Sequence, residues 1–82
     1  MGLTEYIEAA MTKARYKLLG DGSYFGEIPG FRGVWAEARA LELCREELRE
    51  VLEDWIVLKL HEGDSLPAVN GRRIKIPTVA HA

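Results

Sequence analysis

Between Tyr16 and Ala36 the chain alternates short β-prone runs with glycine-marked turns, then passes without a linker into a long amphipathic helix. Few folds accept that order. Asp21-Gly22 tolerates the positive φ angles of a tight hairpin turn, and Pro29-Gly30 punctuates the way to a third run. Tyr16 and Leu18 alternate with Arg15 and Lys17, while Tyr24, Gly26 and Ile28 alternate with Phe25 and Glu27, the period of half-buried strands. Pro29 has no N–H to donate, so the second strand should end there. The strands are expected at about residues 14–19, 23–28 and 33–37.

The helix expected over about residues 39–62 is marked by Leu41, Cys44, Leu48, Val51, Trp55 and Leu58, recurring every three or four residues with Leu52 beside them, and by Gly63 at its end. At about 100° per residue, Glu42, Glu46, Glu50 and Glu53 fall in one stripe opposite that apolar face. Toward the end, Ile56, Val57 and Leu60 spread apolar groups around most of the circumference, which calls for a second cover beyond the chain's own sheet. Ahead of the hairpin, Leu3, Ile7 and Met11 define a short amphipathic helix for which Thr4 can serve as N-cap, with Glu5 and Glu8 near the positive end of its dipole. After Gly63, the Asn70-Gly71 turn precedes Arg72-Arg73-Ile74-Lys75-Ile76, read as a fourth, edge strand.

The expected fold is therefore α+β: a short N-terminal helix, then a three- to four-stranded, mainly antiparallel sheet packed on one long helix, in the order β-β-β-α-β. Leu48, Val51, Leu52 and Trp55 should pack against Tyr24 or Phe25 and Val34. No repeat or linker interrupts the chain, so residues 1–82 are expected to form a single domain.

A chain of 82 residues buries only about 60 to 65% of its unfolded surface, so its core is thin. Hydrophobic residues still reach 48%, which favours a folded domain over disorder. No apolar run approaches the ~20 residues of a membrane span and no secretory segment follows Met1, so a cytoplasmic address is expected. The one cysteine, Cys44, cannot form an intramolecular disulfide, which suits a reducing compartment. The net charge of −2 conceals an asymmetry. Residues 37–62 hold eight acids against Arg39, Arg45, Arg49 and Lys59, whereas residues 63–82 hold Asp64 against Arg72, Arg73 and Lys75. An acidic helix repels phosphate backbones and attracts a basic protein.

The chemistry-bearing residues point away from catalysis. A two-metal nuclease needs carboxylates clustered on strands facing one pocket, and only Glu27 lies within an expected strand. His61, Glu62 and Asp64 lack the histidine spacing of a zinc helix. Cys44 sits on the apolar helix face, as a buried small hydrophobe does. The glycines of residues 20–22 and 30–33 do not form a phosphate loop between strand and helix. Three bases at Arg72, Arg73 and Lys75 are a small footprint for nucleic acid and are better read as guarding a solvated edge strand. Trp35 and Trp55 read as core or interface anchors. No catalytic residue, metal or cofactor is assigned.

The order of Tyr16, Asp21-Gly22-Ser23-Tyr24, Ile28-Pro29-Gly30 and Gly33-Val34-Trp35-Ala36, followed by a helix with a Trp-rich apolar turn, resembles the HicB-like antitoxin family over roughly residues 13–67. The resemblance implies a truncated RNase-H-like fold without catalytic acids, and a protein that neutralises a small basic toxin, a HicA-like mRNA interferase, by binding it. Glu42, Glu46, Glu50 and Glu53 would then face that partner. Where relatives carry a hydroxyl N-cap before the long helix, this chain has Glu37, Ala38, Arg39 and Ala40, a loss worth about 1 kcal/mol. Relatives that bind operator DNA add a C-terminal DNA-binding segment, and no direct DNA binding is expected from this chain alone. Two other readings stay open: an orphan homo-oligomeric structural protein, and an RNase-H-like nucleic-acid-processing protein. A dimer or tetramer is expected to bury Ile56, Val57 and Leu60 of the helix with Ile74 and Ile76 of the edge strand.

Overall fold

The computed structural model describes residues 2–69. They form a short helix α1 (Leu3–Thr12), three strands β1 (Arg15–Leu18), β2 (Tyr24–Glu27) and β3 (Trp35–Ala38), and a long helix α2 (Leu41–Glu62). The strands make one antiparallel sheet in the order β1-β2-β3. The α+β class and the element order are thus as expected. The expected fourth strand, with Ile74 and Ile76, lies outside the described residues.

Local chemistry sets each boundary. α1 is capped by Gly2 rather than Thr4: the Glu5 carboxylate accepts from the Gly2 N–H at 2.9 Å, while the Gly2 carbonyl accepts from the Tyr6 N–H. A carboxylate three residues into the helix serves this purpose and suits the positive end of the dipole. The β1–β2 turn has three central residues, Gly20, Asp21 and Gly22. The Leu19 carbonyl accepts from the Gly22 N–H at 3.0 Å, and Gly22 takes φ +88°. This is a turn closed by a left-handed residue, which asks for glycine at one place instead of two. The Asp21 carboxylate accepts from both the hydroxyl and the N–H of Ser23, which holds its pKa below the ordinary aspartate value.

Between β2 and β3 two turns follow back to back, with Phe31 N–H donating to the Ile28 carbonyl and Val34 N–H to the Phe31 carbonyl. Their three-residue rhythm sends Ile28, Phe31 and Val34 inward in turn, and all three are buried. The third strand consequently begins at Trp35, later than expected. α2 starts at Leu41 behind Ala40, which supplies no side-chain cap, as the missing hydroxyl foretold. It stops at Gly63, whose φ of +77° lets its own N–H reach the Leu60 carbonyl and the Asp64 N–H reach the Lys59 carbonyl.

The core lies between α2 and one face of the sheet, closed at one end by α1. Cys44, Leu48, Leu52 and Ile56 form the buried stripe of α2, four residues apart, and meet Ala36, Ile28 and Val34 with Tyr6, Ile7, Ala10 and Met11 of α1. Val51 and Trp55, expected at the centre, flank this stripe. Tyr24 packs on the core as expected, whereas Phe25 lies on the other face of the sheet. Helix and sheet approach closely because the residues between them are small. A Cβ on Gly26 would stand 2.9 Å from the Tyr16 ring and 3.1 Å from Cys44 Sγ. The Cys44 thiol donates to the Ala36 carbonyl at 3.6 Å.

Candidate functional site

The outward side of α2 is the first candidate. Glu42, Glu46 and Glu50 are exposed, and among the described residues no ion pair within the chain engages them. Glu53 differs: it is half-buried and accepts from Arg49 Nε at 3.4 Å, one helical turn away. Such an exposed pair stabilises by only about 0.3 to 0.5 kcal/mol and is readily exchanged for a partner's cation. Glu47 and Asp54, also exposed, broaden the acidic surface.

The end of α2 corrects the expected oligomer surface. Ile56 is 1% exposed and belongs to the core, so it offers nothing to a second chain, and Leu60 is half-buried against that core. Val57 remains 65% exposed, with Leu58 beside it. Part of the second cover that the apolar circumference called for, over Ile56 and Leu60, is intramolecular. α1 lies against α2, and Leu66 and Val69 return to the core beyond Gly63. The Tyr6 hydroxyl donates to the Pro67 carbonyl, fastening that return to α1. Trp55 packs its ring on Phe31, with centroids 5.3 Å apart, and the Lys59 ammonium lies 5.4 Å from its centroid. Ile74 and Ile76 lie outside the described residues.

The open face of the sheet was not singled out from the sequence. Antiparallel register places Arg15, Glu27 and Trp35 in one row across the strands and Lys17, Phe25 and Glu37 in the next. Trp35 is 55% exposed, so it is not a core residue, and it stacks on Phe25 at 5.9 Å between centroids and 24° between planes. The signal was present in the alternation itself, since Arg15, Lys17 and Glu27 must share a face with Phe25.

The remaining groups serve the fold. Burial pushes the Cys44 thiol up, aided by the nearby Glu47 and Glu37 charges, which disfavours the nucleophilic thiolate. Burial likewise raises the Tyr16 phenol against the opposing pull of Arg45. Ser23 lies in a shallow recess with Asp21, Glu37 and Arg39, where its hydroxyl bonds Asp21 at 2.6 Å and Glu37 at 3.2 Å and ties the hairpin to β3. Among the described residues no three His, Cys, Asp or Glu side chains converge as metal ligands. No helix among them is long and apolar enough to cross a membrane.

Comparison with known proteins agrees with this geometry. A family model described as UPF0150-like matches residues 5–67. The crystal structure of TTHA0281 from Thermus thermophilus superposes with a TM-score of 0.85 at 43% sequence identity, covering 92% of this chain and 94% of that one. No curated protein matches the chain.

Proposed function

The chain belongs to the UPF0150-like family, and on that premise we propose that it is a HicB-like antitoxin, a non-catalytic protein that neutralises a small, basic, mRNA-cleaving toxin by binding it. The HicB-like resemblance over residues 13–67 falls wholly within the matched segment. The observation that carries the reading is the outward face of α2, where Glu42, Glu46 and Glu50 are exposed and meet no cation in an ion pair among the described residues. An unpaired acidic row raises the encounter rate with a basic partner, and closer apolar contacts then hold it. Val57 and Leu58, exposed at the end of the same helix, are suited to that second role. The toxin is of the HicA-like class, encoded beside this chain, and the pair acts in the cytosol.

Co-expression with the adjacent reading frame tests the proposal directly. The two products should purify together, and the toxin's RNA cleavage should stop at stoichiometric addition of this protein. Reversing Glu42, Glu46, Glu50 and Glu53 to Lys should slow association by at least about tenfold at low salt while leaving dissociation nearly unchanged. Association at an unchanged rate would reduce the stripe to a solvated face. RNA cleavage by the purified chain alone, with Mg²⁺ or Mn²⁺, would overturn the non-catalytic reading.

A further inference from the structure

The open sheet face combines a basic column with aromatic and acidic groups in a fixed pattern. β1 contributes Arg15 and Lys17, β2 contributes Glu27 and Phe25, and β3 contributes Trp35 and Glu37. Lys17 Nζ lies 6.0 Å from the Phe25 centroid, and the Ser23 hydroxyl holds Glu37 in place from the neighbouring turn. We infer that this face packs on the same face of a second copy of the chain, about a two-fold axis parallel to β2.

The charge pattern selects both the occupant and the axis. A two-fold parallel to β2 lays β1 of one copy over β3 of the other and keeps the rows in step. Lys17 then meets the partner's Glu37, Arg15 meets the indole of the partner's Trp35, and each contact is made twice. Phe25 meets its counterpart on the axis. A two-fold across the strands would instead set Arg15 over Lys17 of the partner, opposing like charges. A single-stranded nucleic acid could stack on Trp35, but its phosphates would meet Glu27 and Glu37 among the bases, so the mixed signs favour a protein copy.

One unfavourable contact remains, Glu27 against its counterpart, eased by Arg15 beside it in the same row. Three strands of four residues span about 14 by 14 Å, well short of the ~800 Å² per partner of a standard interface. The dimer is accordingly weak and reversible. The surface lies across the sheet from α2, so it is distinct from the proposed toxin-binding glutamates and stands or falls separately.

Sedimentation equilibrium of the full chain from about 5 to 500 μM tests it, since self-association must follow mass action. A monomer–dimer equilibrium is expected. Lys17→Glu and Glu37→Lys should each weaken it by about tenfold, the double exchange should restore it, and Glu27→Gln should tighten it several-fold. These side chains are exposed, and circular dichroism verifies that each variant remains folded. A monomer at every concentration overturns the inference, as does a dimer indifferent to Lys17→Glu. A dimer abolished by Val57→Asp moves the interface to the end of α2 and overturns it too. Binding of an oligouridine that is lost with Trp35→Ser assigns the face to RNA instead.

Discussion

The two faces of the sheet invert the usual distribution of side-chain size. Toward the helices the strands present Gly26, Ala36 and Ala38 with Tyr16 and Tyr24; toward solvent they present Trp35 and Phe25 amid four charged groups. On the covered side the bulk comes from α2, whose Leu48, Leu52 and Ile56 need room against the strands. Small strand residues supply that room, so burial there is set by what approaches rather than by residue size. On the open side nothing among the described residues competes for space, and the largest side chain on the sheet stays half in water. The difference separates two roles. The covered face makes the fold, and the open face is available for association.

That contrast can be broken first from the covered side. Leu48 is fully buried at the centre of the α2 stripe, and truncation leaves a cavity that neighbouring elements cannot wholly fill. Leu48→Ala should cost about 3 kcal/mol, a large fraction of a small domain's stability, read as a fall in the midpoint of urea unfolding at constant slope. A loss below about 1 kcal/mol would mean that helix and sheet are not packed as described.

The next test adds a single carbon. Gly26→Ala places its Cβ 2.9 Å from the Tyr16 ring and 3.1 Å from Cys44 Sγ, closer than packed atoms tolerate. Tyr16 is half-buried and can turn partly aside, whereas Cys44 is locked in the core. The expected loss is about 2 kcal/mol, within the range for overpacked cores. Cys44→Ala should recover part of the loss in the double variant by vacating the position of Sγ, a coupling visible only if the two residues touch.

Which of these features the sequence disclosed follows from their range. The hairpin, the long helix and its glutamate row were legible because periodicity and turn chemistry are local. The Arg49–Glu53 pair follows from the same helical spacing. The fate of neighbours on α2 was not legible: Ile56 and Val57 are both apolar and adjacent, yet one is 1% and the other 65% exposed. That choice is made by α1 and by Leu66 and Val69, whose return to the core is a tertiary event. Trp35 shows the same limit. Alternation fixed which residues share its face, but only the position of α2 decides which face is covered.

The smallest expected effect comes from the largest deletion. Trp35→Ser removes an indole from the open face, where its one ring contact among the described residues is the stack on Phe25. That contact contributes about 0.5 to 1.5 kcal/mol by itself, and exposure of over half the residue limits the burial lost. Below the concentration of self-association, unfolding stability should fall by about 1 to 1.5 kcal/mol, well short of the Leu48→Ala loss. At high concentration the same variant should fail to dimerise, because the Arg15–indole contacts vanish on both sides of the axis. A stability loss matching that of Leu48→Ala would show that Trp35 supports the monomer, and the division of labour between the two faces would fail with it.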